Sequence, residues 1–330
     1  MKSNFITLIL TILLIFSILT SLQVGSINID LLSILNGKVS NSVKYIFYEV
    51  RLPRILATLL GGTSLAISGL VLQTLFRNPL VDPYIIGIAG GSTFFMGLTL
   101  LLGISMFGVF PNMPLYLSSS IIGALITLTI ITVLAPKLSI TQLLIIGIVI
   151  NYLYHAGITL IMTIAEIERI AQFHIAILGS FSGSSWIRVE VSLIPILTCT
   201  VLSIIFSRWL TPLVMGEAYA YTMGVNVKFV RTIYITLTGI LTASTVYLAG
   251  IVGFIGLAAP HIARLLYRTN RVDYLIIPTI LIGSLLTTCS DITARILLTP
   301  RELPITAITS LFGAPLLAYL IVRLRREYAW

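Results

Sequence analysis

The stretch G-I-V-G-F-I-G-L-A-A-P-H-I-A-R-L-L-Y-R, from Gly250 to Arg268, decides the fold of this chain. It is apolar enough for a membrane, yet glycines and a proline interrupt it, so it is not a plain lipid-facing helix. Pro260 removes a backbone donor and is expected to bend the segment. Small residues recur at every third position, and we expect them to form one face against which another helix packs closely: Gly250, Gly253, Gly256 and Ala259.

The composition of the whole chain indicates a membrane protein. Of its 330 residues, 57% are hydrophobic and 9% are charged, whereas soluble chains carry about 25% charged residues. The net charge of +9 comes from basic residues at the ends of apolar runs. Anionic lipid headgroups and membrane topology explain such residues better than nucleic acid does. The two cysteines and three histidines are scattered, so we expect no disulfide, metal site or cofactor.

Apolar runs without charges predict ten transmembrane helices, because about 20 apolar residues cross a bilayer. The runs are residues 3–29, 55–76, 83–136 (two helices, broken around Pro111 and Pro114), 138–165, 191–207, 232–263 (two helices, divided by glycines 250 and 253), 274–290 and 303–322. The first run could instead be a signal peptide, but it is longer than a usual apolar core and lacks an A-x-A cleavage site. We therefore predict an all-α integral membrane protein with one transmembrane domain, residues 1–330.

The distribution of charge predicts the orientation. With ten spans and the N-terminus inside, the inner side carries 12 basic and 4 acidic residues, and the outer side carries 8 basic and 7 acidic residues. This excess of positive charge agrees with the positive-inside rule. We expect a multi-pass protein of the cytoplasmic membrane with both termini inside.

The most polar inner loop covers residues 212–231, P-L-V-M-G-E-A-Y-A-Y-T-M-G-V-N-V-K-F-V-R. Residues Glu217 to Thr222 are expected to form a short helix that stops at Gly224, where a glycine can adopt a positive φ. Spacing alone favours a simple solvated connection.

Several polar residues within or beside the spans are candidates for functional sites. Arg51 and Arg54 in R-L-P-R, and Arg295 in D-I-T-A-R, lie on the outer side. They either anchor the chain to headgroups or bind a partner, and Asp291 could pair with Arg295 at i,i+4.

Polar residues also lie at membrane depth. Asn151 and His155 share a face of helix five, and Gln73 lies on helix two. Such residues usually face a bundle interior or a water-filled path. They are candidates for lining a transport pathway, and the alternative is a hydrogen bond to a neighbouring helix.

Taken together, the motifs closely resemble the FecCD/BtuC-like permeases, the membrane subunits of ATP-driven importers of iron–siderophores, haem and vitamin B12. The resemblance is carried by R-L-P-R (51–54), N-P-L (78–80), G-E-A (216–218), F-I-G-L-A-A-P-H-I-A-R (254–264), D-I-T-A-R (291–295), E-L-P (302–304) and L-F-G-A-P (311–315).

This resemblance implies a permease of about ten helices that does no covalent chemistry. It implies a dimer with a second copy or a close paralogue, two cytoplasmic ATPase subunits and an extracytoplasmic binding protein. The cargo would be an iron–siderophore, haem or cobalamin-type chelate.

The resemblance also assigns roles to particular residues. The ATPase would receive the loop at Gly216, Glu217, Ala218, Met223 and Gly224. Acidic residues of the binding protein would meet Arg51, Arg54 and Arg295. Ser139 and Thr141 in K-L-S-I-T-Q would form a cytoplasmic gate.

Two other functional classes are considered. A secondary active transporter of a small solute would also have about ten helices, but it should carry ionisable residues at mid-membrane, and among these runs only His155 qualifies. An intramembrane enzyme would need a buried set of Asp, Glu or His, and Asn151 with His155 is not enough. The secondary transporter stays open as the alternative.

Overall fold

The structure is a computed structural model that describes residues 2–25, 28–36, 39–102, 113–299 and 301–327. Within these residues the fold is all-α, and ten helices have 13 residues or more. They are α1 (Lys2–Gln23), α2 (Leu52–Leu75), α3 (Ile88–Leu102), α4 (Met113–Leu134), α5 (Ile140–Met162), α6 (Trp186–Ile205), α7 (Val227–Ala249), α8 (Ile255–Tyr267), α9 (Val272–Ile296) and α10 (Ile305–Glu327). These helices correspond in order to the ten predicted spans, which confirms the fold class. Pro111, one predicted break, lies outside the described residues.

Shorter helices connect the long ones. They are Leu31–Leu35, Asn41–Tyr45, a π-helical segment Ile46–Arg51, 3₁₀ turns at Pro83–Ile86 and Thr211–Met215, and the helices Ile167–Ile177, Ser207–Leu210 and Glu217–Thr222. We call Glu217–Thr222 the loop helix. The π segment joins α2 to the short helix Asn41–Tyr45, so helical backbone runs without a break from Asn41 to Leu75 over 35 residues.

Helix α2 forms the centre of the bundle. It packs against α7, α8 and α9. In the continuous helical stretch Asn41–Leu75, which contains α2, 83% of the apolar window is buried, against 11% for α5. Ser64 of α2 donates a hydrogen bond to the Leu241 carbonyl of α7 at 2.6 Å. Among the described residues, six helices are long and apolar enough to cross a membrane. They are α1, α2 together with the helical residues that precede it from Asn41, α5, α6, α7 and α9.

Helices α2 and α8 make backbone contact through two glycines. A Cβ atom built on Gly69 would lie 1.8 Å from the Gly256 carbonyl oxygen, and one built on Gly256 would lie 2.6 Å from Pro83 Cδ. Such close packing is typical of membrane helices with small residues at the contact. Gly256 therefore has the close-packing role that its motif predicted.

The predicted start of the eighth span is wrong. Gly250 has φ +74° and Phe254 has φ +68°, so the chain is not helical between them and α8 begins at Ile255. Of the predicted small-residue face, only Gly256 and Ala259 lie on α8. With 13 residues, this helix is about 20 Å long and is too short to cross a hydrocarbon core of about 30 Å.

The non-helical segment is tolerated because protein surrounds it and pairs its backbone. Ile251 forms an isolated parallel bridge with Leu178, and the Thr306 hydroxyl donates to the Ile251 carbonyl at 2.5 Å. The Val252 amide donates to the Tyr84 hydroxyl at 3.0 Å. These contacts join three distant parts of the chain inside the bundle.

Several other predicted boundaries are also shifted, and two of them have a local cause. Helix α3 begins at Ile88 rather than at residue 83, because the 3₁₀ turn Pro83–Ile86 ends at Gly87 with φ +93°. Helix α6 begins at Trp186 rather than at residue 191. The prediction used only runs without charged residues, whereas the first turns of α6 contain Arg188 and Glu190.

Candidate functional site

We call the end of the bundle that carries Arg51 the outer end and the end that carries the loop helix the inner end, following the predicted orientation. At the inner end, the loop helix spans Glu217–Thr222 and stops before Gly224, which has φ +78°. Gly216 precedes the helix with φ +118°. The short helix and its glycine stop are as predicted.

Large apolar and aromatic side chains are exposed around this helix. The exposed fractions are 73% for Met215, 47% for Tyr219, 55% for Tyr221 and 60% for Met223. We call these four residues the loop patch. Met and Tyr are enriched where proteins contact one another, so the loop patch has the composition of a docking surface.

A buried arginine anchors the loop helix to the bundle. Arg231 of α7 is 6% exposed, and its Nη2 forms an ion pair with the Glu217 carboxylate. Its Nη1 donates to the Leu138 carbonyl at 2.6 Å and to the Ala135 carbonyl at 3.3 Å. Glu217 is thus tied to α7 and to the connection between α4 and α5.

Ser139 and Thr141, the predicted gate residues, lie at the start of α5 and are exposed. Ser139 is the N-cap of α5 and forms a capping box with Gln142. This box satisfies two backbone donors at the helix start. Ser139 therefore fixes where α5 begins, and Thr141 is presented on its first turn.

Asn151 and His155 on α5 have different surroundings. The Asn151 amide donates to the carbonyls of Tyr84 at 3.1 Å and Ile85 at 3.2 Å. This is the alternative considered from the sequence, a hydrogen bond to a neighbouring segment. His155 is exposed.

Gln73 does not line a pathway in this structure. It is 3% exposed, its amide donates to the Gly256 carbonyl at 3.2 Å, and its oxygen accepts from Arg264 Nη1 at 2.6 Å. Helix α8 packs so closely on α2 that this side chain is enclosed between them. Gln73 cross-links the two helices instead.

Replacing Gln73 with leucine should therefore destabilise the protein. The Arg264 guanidinium and the Gly256 carbonyl lose a buried partner, which costs about 1–3 kcal/mol. Thermal unfolding in detergent measures this effect. Gln172→Leu, at an exposed glutamine, is the control and should unfold as the wild type does. Equal unfolding temperatures for Gln73→Leu and the wild type would contradict this role.

The three outer arginines lie together, but they are not presented on the surface. Arg51, Arg54 and Arg295 are each 6% exposed. Arg54 pairs with Asp291 at 2.9 Å and with Glu302 at 2.9 Å. We call these five residues the arginine cluster.

The rest of the arginine cluster is bonded within the chain as well. Arg295 pairs with Asp291 at 3.0 Å, as its i,i+4 spacing predicted, and Arg295 Nη1 donates to the Ser21 carbonyl at 3.1 Å. Arg51 Nη1 donates to the Gln23 carbonyl at 2.7 Å. The cluster thus ties the end of α1 to α2 and α9. The expectation of arginines directly open to a binding protein is corrected, because their donors already bond carboxylates and carbonyls of this chain.

Sequence reasoning missed two residues that organise the site. Arg231 was counted only as an inner charge, although it anchors the loop helix. Tyr84 follows N-P-L-V-D-P and joins that turn to the non-helical segment before α8. The two prolines before Tyr84 signalled the turn, but no local pattern signalled its distant partner.

A cavity of about 330 Å³ opens among the helix Ile167–Ile177, α6 and α7. Its lining combines apolar side chains with polar ones, which are Gln172, Ser180, Ser182, Arg188 and Tyr247. None of these residues belonged to a recognised motif, so the sequence did not single them out.

Comparisons with known proteins agree with this architecture. The sequence model of the FecCD transport family matches residues 12–323. The hemin transport system permease protein HmuU of Yersinia pestis is 32% identical over 96% of this chain and 95% of its own. The molybdate import system permease protein MolB of Haemophilus influenzae is 35% identical over 85% of this chain and 82% of its own.

A solved structure described as an inward-facing conformation of a metal-chelate type ABC transporter shares the fold. Its TM-score is 0.86 at 32% identity, and the match covers 97% of this chain and 99% of the other. The family match covers nearly the whole chain, the relatives are transport permeases, and the helix order agrees. This chain belongs to the FecCD transport family, the permeases of ABC importers.

Proposed function

We propose that this chain is the permease subunit of a binding-protein-dependent ATP-driven importer, with ATP hydrolysis on separate ATPase subunits. It would act as one transmembrane domain in the cytoplasmic membrane. The observation that carries this proposal is the loop patch, which lies around a short glycine-bounded helix anchored to the bundle by the Glu217–Arg231 ion pair.

The loop patch is suited to hold a soluble partner. Large exposed apolar side chains grouped on one short segment often mark an interaction site. The loop helix has six residues, and so short a helix is not stable alone in water. The bundle supplies its stability through Arg231, so a partner can bind a preformed surface. Gly216, Glu217, Ala218, Met223 and Gly224 are the proposed ATPase contact.

We propose contact surfaces for the other partners from the exposure and charge of the helices. Helix α5 is poorly buried, which suits a contact with a second copy or a close paralogue, with Ser139 and Thr141 as the gate at its inner end. The outer end would receive the binding protein. The arginine cluster contains three arginines and two carboxylates, so its net charge is positive. It would attract acidic residues of the binding protein, and such attraction mainly sets orientation and association rate.

The proposed cargo is a metal chelate such as an iron–siderophore, haem or a cobalamin. The hemin permease and the metal-chelate type transporter, which align with nearly the whole chain, support this class. The molybdate permease carries an oxyanion, so the purified binding protein should be tested for molybdate as well as for chelates.

Replacing Tyr219 with serine should weaken ATPase binding about tenfold or more, because buried aromatic anchors dominate such contacts. Binding is measured by co-purification and titration of the ATPase against the permease. Tyr45, at the outer end, is 64% exposed, and Tyr45→Ser is the matched control that should bind normally.

The wild-type complex should hydrolyse ATP in a vanadate-sensitive manner, and the binding protein should stimulate it. A chain that binds no ATPase and takes up solute with an ion gradient would be a secondary transporter, and the proposal would then be wrong.

A further inference from the structure

One buried guanidinium joins three elements at the inner end. Arg231 lies on α7. Its Nη2 pairs with Glu217 of the loop helix, and its Nη1 donates to the carbonyls of Ala135 and Leu138. The two terminal nitrogens of one guanidinium thus bind two different parts of the chain. The third nitrogen, Nε, is buried and has no hydrogen-bond partner among the described residues.

The carbonyls that Arg231 holds lie directly before α5. Helix α4 ends at Leu134, and Ser139 caps α5 with its own side chain. Ala135 and Leu138 therefore belong to the connection whose position sets the first turn of α5. Arg231 is the side chain that links this connection to the loop helix.

Helix α5 is also attached at this end by apolar packing, since Leu143 on its first turn is 1% exposed and lies in the hydrophobic core. It packs mainly on α3 and on the turn Pro83–Ile86, and only weakly on α4. Asn151 makes its bonds to that turn three helical turns further along α5. The inner end of α5 is thus held by the packing of Leu143, by the capping box and by the bonds from Arg231 to the preceding carbonyls, and only the last of these connects it to the loop helix.

We infer that Arg231 is a positioning residue that transmits displacement of the loop helix to the start of α5, where Thr141 is exposed. This inference rests on the proposed function, since it supposes that an ATPase moves the loop helix. The Glu217 side chain is 40% exposed, but it is the one carboxylate paired with Arg231 among the described residues, so separating the two would leave a buried guanidinium without a counter-charge. A moving Glu217 therefore draws the guanidinium with it. Because the guanidinium is rigid and planar, the hydrogen bonds from Nη1 to the connection between α4 and α5 change in the same motion.

A purely structural role makes a different prediction. If Arg231 only stabilises the fold, its loss lowers stability but leaves transport per ATP hydrolysed unchanged. If Arg231 transmits movement, its loss separates hydrolysis from transport. The ratio of uptake to hydrolysis and the movement at the start of α5 distinguish the two roles.

The experiment uses the full complex of permease, ATPase and binding protein in liposomes. Arg231→Gln, Glu217→Gln and the double variant are compared with Lys228→Gln, which removes an exposed charge one turn earlier on the same helix. Spin labels at Thr141→Cys in both copies report the distance across the pair on addition of ATP with vanadate. Cys199 and Cys289, the two native thiols, are replaced by alanine.

Arg231→Gln should bind the ATPase more weakly, because the loop helix loses its anchor. At saturating ATPase it should still hydrolyse ATP, while uptake per ATP falls at least about fivefold, the lower end of typical coupling between sites. The ATP-driven change in spin-label distance should be lost. The double variant should be no worse than Arg231→Gln, because both changes break one link. Lys228→Gln should resemble the wild type in both measurements.

Arg231→Lys keeps the buried cation if the glutamine variant does not fold. Its single ammonium cannot hold Glu217 and the two carbonyls as the guanidinium does, so the distance change should also be lost. A normal distance change and uptake ratio in either Arg231 variant would overturn the inference, as would defects of Glu217→Gln and Arg231→Gln that add. A wild-type chain that binds no ATPase would instead refute the proposed function itself, and the inference with it.

Discussion

Replacing Gly69 with alanine is expected to prevent the permease from folding in the membrane. The new Cβ would lie 1.8 Å from the Gly256 carbonyl oxygen and 2.6 Å from its carbon. These are backbone atoms, which cannot turn aside as a flexible side chain can, so α2 and α8 would have to separate. Overpacking a core usually costs about 1–3 kcal/mol, and we expect a cost above this range. Size-exclusion chromatography of the solubilised protein should show aggregate in place of a single peak.

Gly253→Ala is the control for this change, because Gly253 lies in the same motif as Gly256, the residue that Gly69 contacts. A Cβ atom there would meet only Thr306 Cγ2 at 3.8 Å, an ordinary contact, so this variant should purify as a single peak. A monodisperse Gly69→Ala protein with the melting temperature of the wild type would show that α2 and α8 are not in backbone contact.

Replacing Asp291 with asparagine should have the second largest effect. Asp291 is 1% exposed and pairs with both Arg54 and Arg295. Asparagine has the same shape, so the change removes charge and leaves two buried guanidinium groups without their shared carboxylate. Removing one partner of a buried ion pair costs about 3–5 kcal/mol. Unfolding of the purified protein in detergent with increasing denaturant measures the loss of free energy.

Glu302→Gln is the matched change at the edge of the same cluster. The Glu302 side chain is 37% exposed, and water can replace its contact with Arg54, so we expect a loss below about 1 kcal/mol. An equal loss of unfolding free energy in the two variants would mean that water reaches Asp291 as readily as Glu302, which contradicts the burial of Asp291.

The local parts of the fold could be predicted from the sequence. Span order follows from apolar runs, because the hydrocarbon core sets helix length. The loop helix and its end at Gly224 follow from a glycine placed after a short polar helix. The start of α8 could not be predicted in this way, because Ile251 pairs with Leu178, a residue in a different connection of the chain.

The positions of the candidate site residues could be predicted better than their partners. Arg51, Arg54 and Arg295 do lie together at one end, but their burial depends on α1 and α9 enclosing them. Gln73 is polar at membrane depth, as a pathway residue would be, yet α8 covers it. In both cases the decisive neighbour is distant in sequence, so composition and periodicity could not reveal it.

The unbroken helical backbone from Asn41 to Leu75 has a consequence for the height of the molecule. Its 35 residues rise about 52 Å, whereas a bilayer with its headgroups is about 40–45 Å thick. Even at the average tilt of about 20°, this rod is longer than the bilayer. The charged residues of this stretch, Lys44, Glu49, Arg51 and Arg54, lie toward its Asn41 end, so we expect the short helix Asn41–Tyr45 to project beyond the lipid. A soluble protein arriving there meets a raised protein platform before it meets the membrane.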